Sequence, residues 1–129
     1  MNLKNHEEHK QFLNEFQQFP ETKNALKKEI EAKMLKLGKA KFRLKNVESK
    51  LMTDIYNHTT NGKATFSSKE RREHELERKK WLNKDCIDLE KEIREIEYQI
   101  SQDKLELELV EDKFKVARSY ITFLDVMTK

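Results

Sequence analysis

Residues that bend, break or cross-link a chain are nearly missing from this sequence: its 129 residues include one proline, two glycines and one cysteine. A single cysteine excludes an intramolecular disulfide and suits a reducing, cytoplasmic setting. So little glycine and proline leaves almost no material for the turns of a many-stranded sheet. No apolar run approaches the ~20 residues of a membrane span, and the opening MNLKNHEEHKQF lacks the apolar core of a signal peptide. No membrane partner is expected. Apolar residues are scarce at 36% against 40% charged, whereas soluble globular domains are about half apolar and about a quarter charged. That balance excludes a large compact core. It leaves a disordered chain or elongated helices that bury a stripe.

The apolar spacing decides between them. Steps of four and three alternate through Leu82, Cys86, Leu89, Ile93, Ile96, Ile100, Asp103, Leu107, Val110, Phe114, Ala117, Ile121 and Leu124, thirteen consecutive seam positions with one polar member. A disordered segment has no reason to keep such a heptad pattern. Ser67 followed by Glu70 makes a capping box, so one helix is predicted over 68–127. In the first half, Ile30, Leu37, Leu44 and Leu51 recur every seven residues, with Leu26, Ala40 and Val47 on the alternate seam and Lys33 in one of its places. Pro20 predicts a break or kink, because its ring displaces the backbone and it has no N–H to donate. Phe12, Phe16 and Phe19 continue the stripe ahead of it.

Between the halves, NHTTNGKATFSS carries the turn dipeptide Asn61-Gly62. The expected architecture is therefore all-α: a long antiparallel helical hairpin, or coiled coil, in one domain over 1–129. It has a short N-terminal helix over 1–19, a first arm over 21–56, a bend over 57–67 and a second arm over 68–127. Symmetry about Lys63 would set Leu44 against Leu82, Ala40 against Cys86, Leu37 against Leu89 and Ile30 against Ile96. Further along it sets Leu26 against Ile100, Phe19 against Leu107, Phe16 against Val110 and Phe12 against Phe114. The same rule places Lys23 opposite Asp103, a register pair that matches the one polar place in the long seam with a complementary charge.

A second apolar line, Leu105, Leu109, Val116, Tyr120, Phe123 and Met127, lies beside the main seam in the C-terminal half. One partner helix cannot cover both lines. Either the N-terminal helix, with Leu3, Leu13 and its phenylalanines, folds over this end as a third helix, or the line is a docking surface for another protein or for a second copy in a homodimer.

Charge is distributed unevenly. Residues 36–84 hold fourteen basic and six acidic side chains, and residues 85–129 hold seven basic and twelve acidic ones. Lys39, Lys41, Arg43, Lys45, Lys69, Arg71, Arg72, Arg78, Lys79 and Lys80, with Lys63 at the bend, are the candidate nucleic-acid contacts, since clustered Lys and Arg gain affinity by displacing counterions. Tyr56, Phe66 and Trp81 are near enough in sequence to stack on unpaired bases. Glu70, Glu73, Glu75 and Glu77 interleave with these cations, the pattern of a solvated helix face.

Catalysis needs polar groups converging in a partly desolvated pocket, and two packed helices offer no obvious one. The sequence has no Gly-rich phosphate loop, nucleophile elbow or zinc spacing, so no catalytic residue, metal site or cofactor is expected. His6 and His9 in HEEH share a helical face without an evident third ligand and read as solvent-facing, as do His58 and His74. Cys86, on the seam, reads as a small buried hydrophobe. Trp81, beside Leu82, reads as a cover over the seam edge.

The stretch ATFSSKERREHELERKKWLNKDCIDLEKEIREIEYQI, followed by the stripe containing Phe114, resembles small coiled-coil proteins encoded in the early and recombination modules of bacteriophages and mobile elements of Gram-positive bacteria. The shared pattern is an aromatic or Thr lead-in, an Arg-rich helix start and a long Glu/Lys/Leu helix, over about half the chain. The resemblance implies an accessory role: assisting DNA recombination or replication, or binding and inhibiting a host defence or nuclease protein. It brings no catalytic residues. A prefoldin-like chaperone also has two helical arms, but its hairpins demand more strand-forming sequence than NHTTNGKATFSS holds.

Overall fold

The structure, a computed structural model, describes residues 3–128, with side chains from 7 to 127. Leu3 and His6 therefore lie outside the described side chains. The order is α1 (Leu3–Asn57), β1 (Thr59–Thr60), β2 (Lys63–Ala64), α2 (Lys69–Leu82) and α3 (Lys84–Thr128). The fold is all-α, with the long α1 packed against the long α3. The chain divides into two units, Met1–Ala32 with Gln99–Lys129, and Lys33–Tyr98.

In the first unit α1 and α3 run antiparallel, and their seam is aromatic. Phe16 stacks on Phe114 with ring centroids 5.1 Å apart, Phe19 meets the same ring edge-on at 5.7 Å, and Phe12 meets Tyr120 edge-on at 5.1 Å. Leu26, Ile30, Ile100 and Ala117 are buried behind them. Burying a Leu or Ile side chain contributes about 1.5–3 kcal/mol, which is what holds two charged helices together.

Pro20 does not break the chain. It sits inside α1, so 1–19 is not a separate helix. The ring forfeits the backbone bond to the carbonyl of Phe16, yet Phe16 and Phe19 are clamped on Phe114 immediately before it. Packing outweighs the local penalty. The fold-back over α3 is also not what forms, because the segment carrying Phe12 continues along the seam to Tyr120.

In the second unit, Ala40, Ile55, Cys86, Ile93 and Ile96 are buried. The seam of α1 keeps its four-three rhythm here, with Lys33, Leu37, Leu44, Val47 and Leu51 half-buried between the fully buried places. The bend closes as a two-residue hairpin, with Thr60 paired to Lys63 and Thr59 to Ala64. Asn61 (φ 54°) and Gly62 (φ 78°) both adopt left-handed backbone, the requirement of a type I′ turn. Strands of two residues are a turn device and not the extended hairpins of a prefoldin.

The predicted single helix over 68–127 is two helices. Ser68, one residue after the expected cap, accepts from the Arg71 amide at 3.2 Å and starts α2. Asn83, in extended conformation (φ −91°, ψ 118°), ends it. The Asn83 side-chain oxygen then accepts from the Cys86 amide at 3.0 Å, an N-cap that starts α3. One asparagine is both stop and start. As a result the seam of α2 runs through Arg72, Glu75, Leu76, Lys79 and Lys80, and Leu82, expected to face Leu44, is 73% exposed.

The register follows from the bend. Thr65 donates to the carbonyl of His58, but the Arg72 guanidinium already lies over the ring of Tyr56, 4.4 Å from its centroid. Seven residues of the returning chain pass while the first arm moves by two. This slack displaces the pairing from symmetry about Lys63. In the first unit Phe16 meets Phe114 and not Val110, four positions on, and Lys23 meets Glu111 at 3.7 Å and not Asp103, eight positions on. The Lys23–Asp103 register pair does not form. The Lys23–Glu111 pair is about two-fifths exposed at each end, so its contribution is at most about 1 kcal/mol.

Candidate functional site

The second apolar line is where the first unit keeps its unburied surface. Leu109, Val116 and Phe123 are seven residues apart on α3 and 62%, 69% and 58% exposed, and Leu105, Tyr120 and Met127 beside them are exposed as well. Seven residues is two turns, so the three share one face. Beneath Leu109 and Val116 a groove of about 330 Å³ opens, walled by Phe12 and Phe19 of α1 and rimmed by Glu15, Asp112 and Lys113. A second groove of about 370 Å³ lies on the other flank, between Pro20 and Lys23 of α1 and Val110, Phe114 and Arg118 of α3. An apolar floor with a rim of both charge signs suits a knob from another helix more than a polar small molecule.

The cations of the second unit divide into two sets. Arg78 is held by Glu75, its Nε donating to both carboxylate oxygens at 3.1 and 3.2 Å. That bond keeps the Glu75 carboxyl below the usual glutamate range and the Arg78 guanidinium above its own. Lys80, 17% exposed, points inward, with its Nζ 3.0 Å from Glu48 of α1, 3.8 Å from Glu77 of α2 and 3.5 Å from Glu90 of α3. Burial pulls its pKa down, but the bond to Glu48 and the three carboxylates together outweigh that and leave it raised. Lys80 therefore ties three helices together and is not a surface contact. Lys69 pairs with Glu73 and Lys41 with Glu97, each at 3.9 Å, and Arg72 lies over Tyr56. Lys39, Arg43, Lys45, Arg71 and Lys79 make no ion pair among the described residues.

Trp81 does not cover the seam. It is 79% exposed, next to exposed Leu82. Leu35, Phe42 and Tyr98 are also exposed, and their only sequence signal was apolar character out of phase with the seam. Among the described residues no three His, Cys, Asp or Glu side chains are grouped to hold a metal ion. His74 is exposed, His9 is half-buried on α1 and not fully solvent-facing as expected, and His58 Nδ1 is 2.7 Å from the Thr65 hydroxyl. Cys86 is fully buried, and desolvation raises its thiol pKa, with Glu48, Glu90 and Asp85 adding to it against Lys80. No described helix is long and apolar enough to cross a membrane.

These features define an all-α protein of antiparallel packed helices with an unburied apolar stripe on α3. The chain matches no protein-family model, and comparison with curated proteins and with solved structures gives no match.

Proposed function

We propose that this chain is a non-enzymatic docking protein, of the phage or mobile-element accessory kind its sequence resembles, that seats a helix of another protein on α3. The observation that carries this reading is the exposed line Leu109, Val116 and Phe123 above its groove. Large apolar side chains aligned on one face cost solubility unless they are covered in use. The mechanism is occlusion or scaffolding: a host or phage protein is held by apolar anchors, and the charged rim selects among partners.

The test replaces Leu109, Val116 and Phe123 together with glutamate. Because all three are exposed, helix content and melting should hold to within about 1 kcal/mol, while a cross-linked or co-purified partner is lost. Retention of the partner by the triple variant would overturn the proposal. Sedimentation of the same variant separates the occupants: a shift from dimer to monomer identifies a second copy.

A second reading, an accessory factor that contacts DNA in recombination or replication, is supported by Lys39, Arg43, Lys45, Arg71 and Lys79, candidate contacts that make no ion pair among the described residues.

A further inference from the structure

We infer that the outer face of α2 is a contact strip for a single strand of nucleic acid, with Trp81 stacking on an unpaired base. This inference rests on the second reading above and is independent of the docking stripe on α3. Arg71, His74, Arg78 and Trp81 follow one another at steps of three, four and three, so they form a single row on α2, and all four are exposed. The row is about 15 Å long at 1.5 Å per residue.

The interleaved glutamates cancel only part of the charge of α2, where six Lys and Arg stand against four Glu. Glu73 is committed to Lys69, Glu75 to Arg78 and Glu77 to Lys80. Of the acids on α2, Glu70 remains, against Arg71 on the outer row, while Arg72 lies over Tyr56 and Lys79 is half-buried on the seam. The Glu75 bond also fixes the Arg78 guanidinium while the side chain stays 59% exposed, an oriented donor facing solvent. At the end of the row stands Trp81, the only tryptophan of the chain. The exposed Leu82 widens this apolar end.

Cations in a row followed by a bare aromatic match a phosphate backbone followed by a base face. A duplex hides its base faces in the stack, so the strip favours single strands. A protein hot spot would instead place the tryptophan at the centre of an apolar ring, and here the row leading to it is cationic.

The experiment uses the lone tryptophan as its own reporter. The full chain is titrated with a ~16-nucleotide oligothymidylate at ~50 mM salt, following Trp fluorescence, with a duplex of equal length alongside. The expected result is quenching on binding, tighter binding of the single strand, and affinity that falls steeply as salt rises. Trp81→Ala should weaken binding about ten-fold or more by anisotropy of a labelled oligonucleotide, with helix content unchanged, and Trp81→Phe should retain part of it. Arg71→Glu should weaken binding and flatten the salt dependence. Salt-sensitive binding that Trp81→Ala leaves unchanged would overturn the strip while leaving the DNA reading intact. Absence of any binding at ~50 mM salt would overturn both. Capture of a protein through Trp81, with no oligonucleotide bound, would assign the face to a protein partner and overturn the inference.

Discussion

Lys80 shows how little the identity of a side chain says about where it points. As a lysine in a basic run it reads as a solvent-facing cation, and its four-carbon stem instead carries the ammonium between Glu48, Glu77 and Glu90. Lys80→Ala should lower stability by about 1–2 kcal/mol in a denaturant melt, the range between an exposed pair and a buried one. The pH dependence has two signs. Lys80 has a raised pKa, so its contribution is complete below the ordinary lysine range and is lost as pH climbs through it to the raised value. Glu75 has a lowered pKa, so its contribution is present above the ordinary glutamate range and is lost as pH falls through it to the lowered value. A melting profile against pH should therefore fall at both ends, and Glu75→Gln should flatten the acid side only.

At the scale of elements, Pro20 and Asn83 exchange their expected roles. The proline was the residue to break a helix, and α1 passes through it; the asparagine carried no warning, and it separates α2 from α3. Helix interiors disfavour proline by about 3 kcal/mol relative to alanine. Pro20→Ala should accordingly raise stability by up to that amount, readable as a higher denaturation midpoint with the aromatic seam unchanged. A fall in stability would mean that the Phe16, Phe19 and Phe114 cluster depends on the ring. The heptads were legible because every seam position must be filled by something that packs, so the signal repeats many times between Phe12 and Leu124. A cap needs one side chain and one amide. Asn83 and Cys86 supply both, without a pattern to repeat.

For the molecule as a whole, the all-α architecture and the second apolar line were readable from spacing, and the pairing of the arms was not. Pairing depends on the path of Phe66, Ser67 and Ser68 and on how much chain the bend consumes. Hydrophobic periodicity is blind to that quantity, because sliding one arm by a heptad leaves every seam residue on the seam. Phe16 meeting Phe114 in place of Val110, the next position along the seam, is a smaller slide of the same kind. The stripe of Leu109, Val116 and Phe123 was visible for the opposite reason: its identity as surplus needs only the count of faces, and not their register.

The lone Cys86 thiol is fully buried and its pKa is raised by burial, so in the closed molecule it is both shielded and protonated. A thiol reagent can reach it only when the helices around it part. Its labelling half-life, measured against reagent concentration, is then a clock for that opening, and it should lengthen as denaturant is withdrawn and shorten when Lys80 is truncated. Labelling as fast as that of a free thiol would place Cys86 outside the core. The residue whose scarcity excluded a disulfide thus gives the chain a single chemical probe of its own closure.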